Sequence, residues 1–367
     1  MKYTNYFLNK KEYNDSICNQ VQDSLNYYKE TKEFNFFDER ESYLVAIYNV
    51  TSTTSTTQLL GSSFTLSQIS EMYVDDVLLD TNVASYTFDT EGEHIIKIYC
   101  NQCNFTSCAS MFEHCYLLTS LDLSSFNTSN VTDMNNMFHN CTIKLTSLDL
   151  SSFDTSKVTD MQRMFESCTN LTSITFGDKW DTSNVTNMDS MFYLCYNLTS
   201  LNLSSFDTSK VTNMSDMFYE CESLTSLDVS LFNTSNVTNM GRMFKHCSGL
   251  TSLDLSSFNT SDVTNMSSMF YGCSGLTSLD LSSFDTSNVT IINMLFYECS
   301  NLISIEFGNK ADVSKATTYS NMFYNVPSSC ILKLCSNTQT SWETLFSNVS
   351  SKLSTITYVE CTEQTSE

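Results

Sequence analysis

Residues 250–273 read LTSLDLSSFNTSDVTNMSSMFYGC, and residues 276–299 repeat the pattern as LTSLDLSSFDTSNVTIINMLFYEC. Related units run from about residue 105 to residue 326, at steps of 26 or 27 residues. One cysteine closes each unit, at Cys115, Cys141, Cys168, Cys195, Cys221, Cys247, Cys273 and Cys299. Such a period is typical of solenoids, in which each unit buries its apolar side against its neighbours. The sequence therefore predicts a quasi-one-dimensional stack of parallel coils.

Two periodicities alternate within each unit. Apolar residues at every second or third place predict a short parallel strand, as at Leu276, Leu279 and Leu281. A second apolar stripe has the spacing of a helix of about three turns, and consists of Val263, Met266, Met269, Phe270 and Cys273. The predicted fold class is an α/β solenoid, a leucine-rich-repeat-like array of 26–27-residue strand-turn-helix units preceded by a small all-β module.

Four segments are predicted along the chain. Residues 1–41 form a leader or docking segment, 42–99 a small β-sandwich-like module, 100–326 the solenoid and 327–367 a C-terminal cap. Short apolar runs between polar turns suggest the strands of the second segment, at 43–50, 72–79 around Asp75-Asp76, 84–88 and 94–99. The last run, around Ile95–Ile98, could also start the solenoid. The cap is expected to contain a strand at 331–334, a helix at 341–349 and a strand at 356–359.

Composition restricts the partners. Hydrophobic residues make up 41% of the 367 residues and charged residues 16%, with a formal net charge of -23. This charge repels phosphate backbones, so nucleic acid is not expected as a partner. Residues 1–18 lack the apolar run of a classical signal peptide. No stretch of about 18 apolar residues predicts a membrane span.

The fifteen cysteines are interpreted mainly as packing residues. Those at the repeat position are expected to be free, buried thiols, although the spacing of adjacent coils does not rule out bridging. The spacing Cys100-x2-Cys103-x4-Cys108-x6-Cys115 could hold Zn²⁺. Since Cys108 and Cys115 already lie in register with the repeat core, no metal site is predicted there.

The repeat resembles a known family. The pattern Leu-x-Ser-Leu-Asp-Leu-Ser-Ser-Phe-Asp-Thr-Ser-x-Val-Thr-x-Met-x-x-Met-Phe-x-x-Cys, at 224–247, 250–273 and 276–299, is similar to the BspA-like leucine-rich repeats of bacterial surface proteins, in the form common in mycoplasmas and gut bacteria. The resemblance implies a curved β/α solenoid with a role in surface attachment or host-protein binding, and no enzyme. Residues 73–77 and 86–94 resemble a small β-module that often precedes such repeats in proteins of gut bacteria and their phages, and residues 27–33 resemble leaders of phage and prophage structural proteins.

The predicted ligand-binding residues occupy the outward position of each strand. We call them the acidic row: Asp122, Asp149, Thr175, Asn202, Asp228, Asp254, Asp280 and Glu306. Strands about 4.8 Å apart would place these like charges in a line along the concave face. A basic partner or Ca²⁺ would relieve their repulsion, whereas a solvated, screened face is the alternative.

No catalytic constellation is recognised. The four histidines include His114 and His246, each directly before a core cysteine, and no second ligand at helical spacing predicts metal binding or base catalysis. No nucleophile-elbow, P-loop or zinc-protease motif is present. The protein is therefore expected to be no enzyme and to need no cofactor.

Two functions are expected from these observations. The first is a surface-displayed recognition or adhesion scaffold that binds a host or bacterial surface protein, or a glycan, through the concave face. The second is a virion structural or decoration protein, docked on capsid or tail proteins through residues 1–41 with the solenoid projecting. Both predict a location at a cell surface or on a virion.

Overall fold

The computed structural model describes residues 42–101, 105–142, 144–348 and 353–361. The described residues form a β-solenoid of about eight turns, with an antiparallel sheet at its N-terminal end and a strand-helix-strand cap at its C-terminal end. The predicted leader, residues 1–41, lies outside the described residues. The predicted repeat stack is confirmed, and the strand-turn-helix unit is wrong.

An antiparallel sheet precedes the repeats. Its strands are β1 (Tyr43–Val50), β3 (Ile69–Val74), β4 (Val77–Leu78) and β6 (Gly92–Cys100), while β2 (Thr57–Gln58) pairs with β5 (Ser85–Tyr86) separately. A 3-10 turn at Leu66–Gln68 leads into β3. Asp75 and Asp76 join β3 to β4 with φ of 46° and 64°, the left-handed pair that tight hairpins require. Every second residue of β1 is buried, which accounts for its alternating sequence.

The sheet continues directly into the first coil. Its strand order is β4-β3-β6-β1-β7, where β7 (Leu118–Asp122) belongs to the solenoid. Ala46 of β1 lies opposite Leu121 of β7 in an antiparallel pair. The strand that meets the solenoid is thus β1, and the expectation for Ile95–Ile98 is wrong. This pairing covers the edge that the first coil would otherwise expose.

Parallel pairing joins successive coils in register. Strand β8 (Ser147–Leu150) pairs with β9 (Ser173–Phe176), and β10 (Ser278–Leu281) pairs with β11 (Ser304–Phe307). On the opposite arm of the coil, eight parallel bridges connect equivalent residues from one coil to the next. They link Ser107, Asp133, Asp160, Asn187, Asn213, Asn239, Asn265, Ile291 and Thr318. Each coil is therefore held by the one before it and the one after it.

The segment predicted as a helix is instead a series of tight turns. Alternate N–H groups donate to the next coil, as from Phe270 to the Leu295 carbonyl at 3.0 Å. The N–H groups between them donate three residues back, as from Cys273 to the Phe270 carbonyl at 3.1 Å. An α-helix would use every N–H four residues back. Because about half of the backbone hydrogen bonds in this segment go to the next coil, the segment forms no helix and the fold is a β-solenoid.

Left-handed residues explain why the apolar stripe was misinterpreted. Ser268 and Gly272 have φ of 54° and 71°, and equivalent residues of the other coils repeat these values. Each such residue is the third of a four-residue turn closed by an N–H to the carbonyl three residues back, so that side chains three apart return to the same side. Helices and serial turns thus share this spacing. The predicted core membership is confirmed, since Val263, Met266, Met269, Phe270 and Cys273 are at most 1% exposed.

Identical side chains stack along the core. The rings of Phe218 and Phe244 lie 5.8 Å apart and within 5° of parallel, and this stack extends from Phe112 to Phe323. The eight repeat cysteines are free and buried, which confirms the prediction. The thiol of Cys247 donates to the Phe218 carbonyl at 3.0 Å, so that even these small groups connect one coil to its neighbour.

The cap closes the C-terminal end. Strands β12 (Ile331–Cys335) and β13 (Thr355–Val359) extend the sheet beyond β11. A 3-10 turn at Ser336–Thr338 leads into α1 (Gln339–Asn348), which agrees with the predicted strand, helix and strand. Trp342 of α1 is fully buried and its Nε1 donates to the Ala311 carbonyl at 2.8 Å. A disulfide joins Cys335 to Cys361. In the described part of the chain, no helix has the length and apolar character needed to cross a membrane.

Candidate ligand-binding face

The acidic row follows the strand face of the solenoid. Asp149 lies beside Thr175 on paired strands, and Asp280 lies beside Glu306. All members are exposed except Glu306, which is half-buried. The Nζ of Lys333, on β12, lies 3.0 Å from a Glu306 carboxylate oxygen and neutralises that end of the row.

Most members of the acidic row have a structural role in the turn that follows the strand. The Asp280 carboxylate accepts the Ser282 N–H at 2.9 Å, in an Asx turn. The same bond is made by Asp122, Asp149, Asn202, Asp228 and Asp254 to the residue two places on. The turn alone therefore accounts for aspartate or asparagine at these places.

Two neighbouring members of the row have lowered pKa values. Hydrogen bonds from the Ser230 side chain and N–H lower the pKa of Asp228, and bonds from Ser256 lower the pKa of Asp254. The charge of Asp228 opposes the second shift without reversing it. At Asp228 and Asp254, local donors thus offset the repulsion that a basic partner or Ca²⁺ was expected to relieve.

A second line of side chains crosses the arm of the solenoid that was predicted to be helical. It occupies the place after the core phenylalanine in each coil, and we call it the tyrosine column. Its members are Glu113, His139, Glu166, Tyr193, Tyr219, Lys245, Tyr271, Tyr297 and Tyr324. Tyr324 is 49% exposed and the others are half-buried. The solenoid therefore presents them partly to solvent.

The rings of the column stack on one another. Ring centroids lie 4.5 Å apart for Tyr193 and Tyr219, and 4.6 Å apart for Tyr297 and Tyr324, with planes inclined by 22° and 17°. The Lys245 ammonium lies between two rings, 5.0 Å from the centroid of Tyr219 and 4.5 Å from that of Tyr271. Such cation–π contacts hold the lysine in the column.

Buried charges flank the aromatic part of the column. The Asp216 side chain is 7% exposed and forms a 2.8 Å ion pair with Arg242, which is 54% exposed. Burial raises the pKa of Asp216, and the Arg242 charge opposes this shift. One oxygen of Asp216 is buried without a hydrogen-bond partner, and the buried Oε2 of Glu166 has an ion-pair partner, the Arg163 Nε at 3.3 Å, but no hydrogen bond. The column thus combines tyrosines with both signs of charge.

The first two coils carry a different chemistry at the start of the column and at the place beside it. The side chains of Glu113, His114 and His139 place one potential ligand atom each within 4.8 Å of one another. This is the one such group of three or more histidine, cysteine or acidic side chains within the described ranges. A histidine pair with a carboxylate could hold a transition metal.

Sequence reasoning missed the tyrosine column because it treated the Met-Phe-x-x-Cys segment as a helix with a buried stripe. A signal was present. The neighbouring Met, Phe and Cys are the same in most units, but the residue after Phe is glutamate, histidine, tyrosine or lysine in different units. The fold of the coil does not require one residue type at this place, so the residue there can contribute to binding.

The fold and this face define the class of protein, a β-solenoid repeat protein with a continuous aromatic and charged surface line. The family model described as "Mycoplasma protein of unknown function, DUF285" matches residues 82–177, 172–253 and 224–332, together about two thirds of the chain. The chain belongs to this family. No curated protein and no solved structure matches it.

Proposed function

We propose that this protein is a non-enzymatic recognition scaffold that binds a partner protein through the tyrosine column. The observation that carries the proposal is the contrast between adjacent places of the coil. Core places repeat because every coil needs them, whereas the column varies in charge and size and forms part of the surface. Tyrosine and arginine are the residues that most often dominate binding energy at protein interfaces.

The geometry of the column favours a protein over a glycan. Sugars stack on free aromatic faces, but the faces of Tyr193, Tyr219 and Tyr297 lie against their neighbours. Ring edges remain for the ligand. Burial, and after it the Glu220 charge, raises the pKa of Tyr219. A hydrogen bond to Glu220 raises this pKa further, so the Tyr219 hydroxyl keeps its proton and would exchange Glu220 for a carbonyl or carboxylate of the partner.

Display at a cell surface is part of the proposal. The Cys335–Cys361 disulfide, with Cα atoms 5.4 Å apart, supports it because disulfides persist in oxidising surroundings. The resemblance of the repeat to BspA-like surface proteins supports it as well. Docking of residues 1–41 on a capsid or tail stays a prediction, because these residues lie outside the described part.

A binding experiment on treated cells tests the proposal. The fluorescently labelled full chain is added to cultured epithelial cells that are untreated, protease-treated or glycosidase-treated. We expect binding to be lost after protease and kept after glycosidase. The double variant Tyr219→Ala/Tyr297→Ala should weaken binding by roughly 30-fold or more, since truncating a hot-spot residue costs about 2 kcal/mol or more.

The acidic row provides the matched control. The triple variant Asp228→Asn/Asp254→Asn/Asp280→Asn removes three charges but keeps a side-chain oxygen for each turn, as Asn202 does. We expect it to bind as the wild type does, with and without a chelator of Ca²⁺. If the triple variant loses binding while the double tyrosine variant keeps it, the site lies on the strand face instead. If the wild-type chain does not bind the cells at all, the adhesion role is refuted.

A further inference from the structure

A cluster of imidazole and carboxylate groups lies where the tyrosine column begins. Glu113 and His114 belong to one coil and His139 to the next, at the place equivalent to Glu113. The Nδ1 of His139 lies 3.2 Å from a Glu113 carboxylate oxygen, and the two histidine rings are 5.1 Å apart. All three side chains are half-buried. The parallel stacking of coils, which no local pattern encodes, brings them together.

A further carboxylate faces the other nitrogen of His139. The Nε2 of His139 lies 3.8 Å from a Glu166 oxygen, and Glu166 is itself held by the Arg163 Nε at 3.3 Å. Metal-binding histidines usually donate their second N–H to a carboxylate, which fixes the tautomer and the ring orientation. In the metal-free chain the His139 Nδ1 lies at hydrogen-bond distance from the Glu113 carboxylate, which accepts its proton. A metal ion at Nδ1 would displace that proton, and the remaining Nε2–H would then face Glu166.

We propose that Glu113, His114 and His139 bind a divalent transition-metal ion of the Zn²⁺ type, with Glu166 as the positioning residue of His139. Two imidazoles and one carboxylate leave an open fourth position in tetrahedral geometry. Ligand atoms about 2.0–2.1 Å from the metal are roughly 3.4 Å apart, close to the separation of the Glu113 and His139 atoms. Hard cations such as Ca²⁺ prefer oxygen ligands alone, so this site discriminates against them.

The ion would fasten the first coil to the second. The His114 ring now accepts a hydrogen bond from Asn140 at 2.9 Å and lies 3.1 Å from the Tyr116 hydroxyl, contacts that keep it near the site. Binding to the folded chain alone raises its stability in proportion to the logarithm of metal concentration. The strongly negative chain also attracts cations to its surface.

Cobalt substitution tests the site with a spectroscopic readout. The metal-free full chain is titrated with Co²⁺ and then with Zn²⁺ by calorimetry and visible absorption. We expect one Co²⁺ per chain with the ligand-field bands of a nitrogen and oxygen site, and displacement by Zn²⁺ but not by Ca²⁺. X-ray absorption on the wild-type cobalt protein should show nitrogen and oxygen neighbours, and this measurement needs no variant.

Four substitutions locate the ion. His139→Ala and His114→Ala should weaken binding by more than the roughly 10- to 100-fold that loss of an outer partner costs. Glu166→Gln should cost about 10-fold and leave the cobalt spectrum unchanged in shape, because the ligand set stays the same. His246→Ala is the matched control, since His246 occupies the place of His114 in a later coil beside Tyr271 and should not matter.

Three results would overturn the proposal. The first is that the wild type does not bind cobalt. The second is an intense thiolate-to-cobalt absorption band, which would show that cysteine binds the ion. The third is undiminished binding by the folded His114→Ala/His139→Ala variant. Thermal unfolding of each metal-free variant shows whether it is folded. If that variant does not fold, the X-ray absorption of the wild type decides.

Discussion

Thr260 and Asp285, which lie on adjacent coils, are joined by two hydrogen bonds through a single hydroxyl group. The Thr260 Oγ1 donates to the Asp285 carbonyl and accepts the Asp285 N–H, both at 2.8 Å. Thr260 is fully buried. The same pair of bonds links Thr128 to Asp154, Thr155 to Asp181, Thr208 to Asn233 and Thr234 to Asn259. The hydroxyl of a buried threonine thus pairs the N–H and carbonyl of a residue in the next coil, which no strand pairing does at this place.

Replacing Thr260 with valine should destabilise the protein. Thr260→Val keeps the shape but leaves the half-buried Asp285 N–H and carbonyl without their partner. The cost is about 1–3 kcal/mol for each of these groups that water does not reach. Thr260→Ser keeps the hydroxyl and should cost less. Urea unfolding followed by circular dichroism gives both values, and an equal loss for the two variants would contradict this role of the hydroxyl.

Gly272 should resist substitution for two separable reasons. Its φ of +71° disfavours a side chain, and an added Cβ would lie 2.2 Å from the His246 Nδ1. In the His246→Ala background, Gly272→Ala should therefore cost only the backbone strain of about 1–2 kcal/mol. In the wild type it should cost more. Urea unfolding of the wild type, the two single variants and the double variant measures the difference. Identical costs of Gly272→Ala in both backgrounds would show that the histidine contact is irrelevant.

The repeat cysteines should be inert in the folded chain. Burial raises the pKa of Cys168 and of Cys247 to about 12. Because the thiolate is the reactive form, alkylation needs unfolding. We expect iodoacetamide at about pH 8 to leave the eight repeat cysteines unmodified in the native protein and to modify them in denaturant. Peptide mass spectrometry locates the label, and native modification at the denatured rate would disprove their burial.

Stability should depend on pH through His94 and Asp75, whose Nδ1 and Oδ2 atoms lie 2.6 Å apart. Burial acts to lower the pKa of His94, but hydrogen bonds to Asp75 and the Thr90 carbonyl outweigh it and raise this pKa. The stabilisation is then fully present below the unfolded pKa of about 6.5 and is lost as pH rises through the raised folded value. Asp75→Asn should therefore destabilise more at about pH 6 than at about pH 9.

The neighbouring Asp76 provides the control for this prediction. It shares the left-handed turn with Asp75, so Asp76→Asn tests the turn without the histidine contact. Thermal unfolding at several pH values compares the variants. An Asp75→Asn effect that does not change between the two pH values would exclude the ion pair as its cause.

Much of the architecture followed from the sequence, and the reasons differ between segments. The 26–27-residue period predicted parallel stacking because it repeats Leu, Met, Phe and Cys at places that must be buried. The hairpin at Asp75-Asp76 was recognisable from two turn-forming residues between apolar runs. The helix was wrong because side chains three residues apart share a side in a helix and in serial tight turns alike. Asn265-Met266-Ser267 and its equivalents, which form Asx turns inside the supposed helix, were the local evidence for turns.

Of the candidate face, the sequence identified the acidic row but could not show that most of its carboxylates accept N–H groups two residues on. The tyrosine column stayed hidden within the supposed helix. Tyr297 and Tyr324 are 27 residues apart in the chain and in contact in the fold. Contacts of this kind depend on the register between coils, which a residue-by-residue pattern does not encode.

The sequence by itself determined that the chain is a stack of repeating coils with a core of Leu, Met, Phe and Cys, because burial of apolar side chains at a fixed period needs no further information. Only the tertiary structure decided how the backbone of each coil runs and which side chains meet on its surface. The reason is that alternate N–H groups bond to the next coil. That bonding selects turns over helix and places Glu113 beside His139, and Lys245 between two tyrosines.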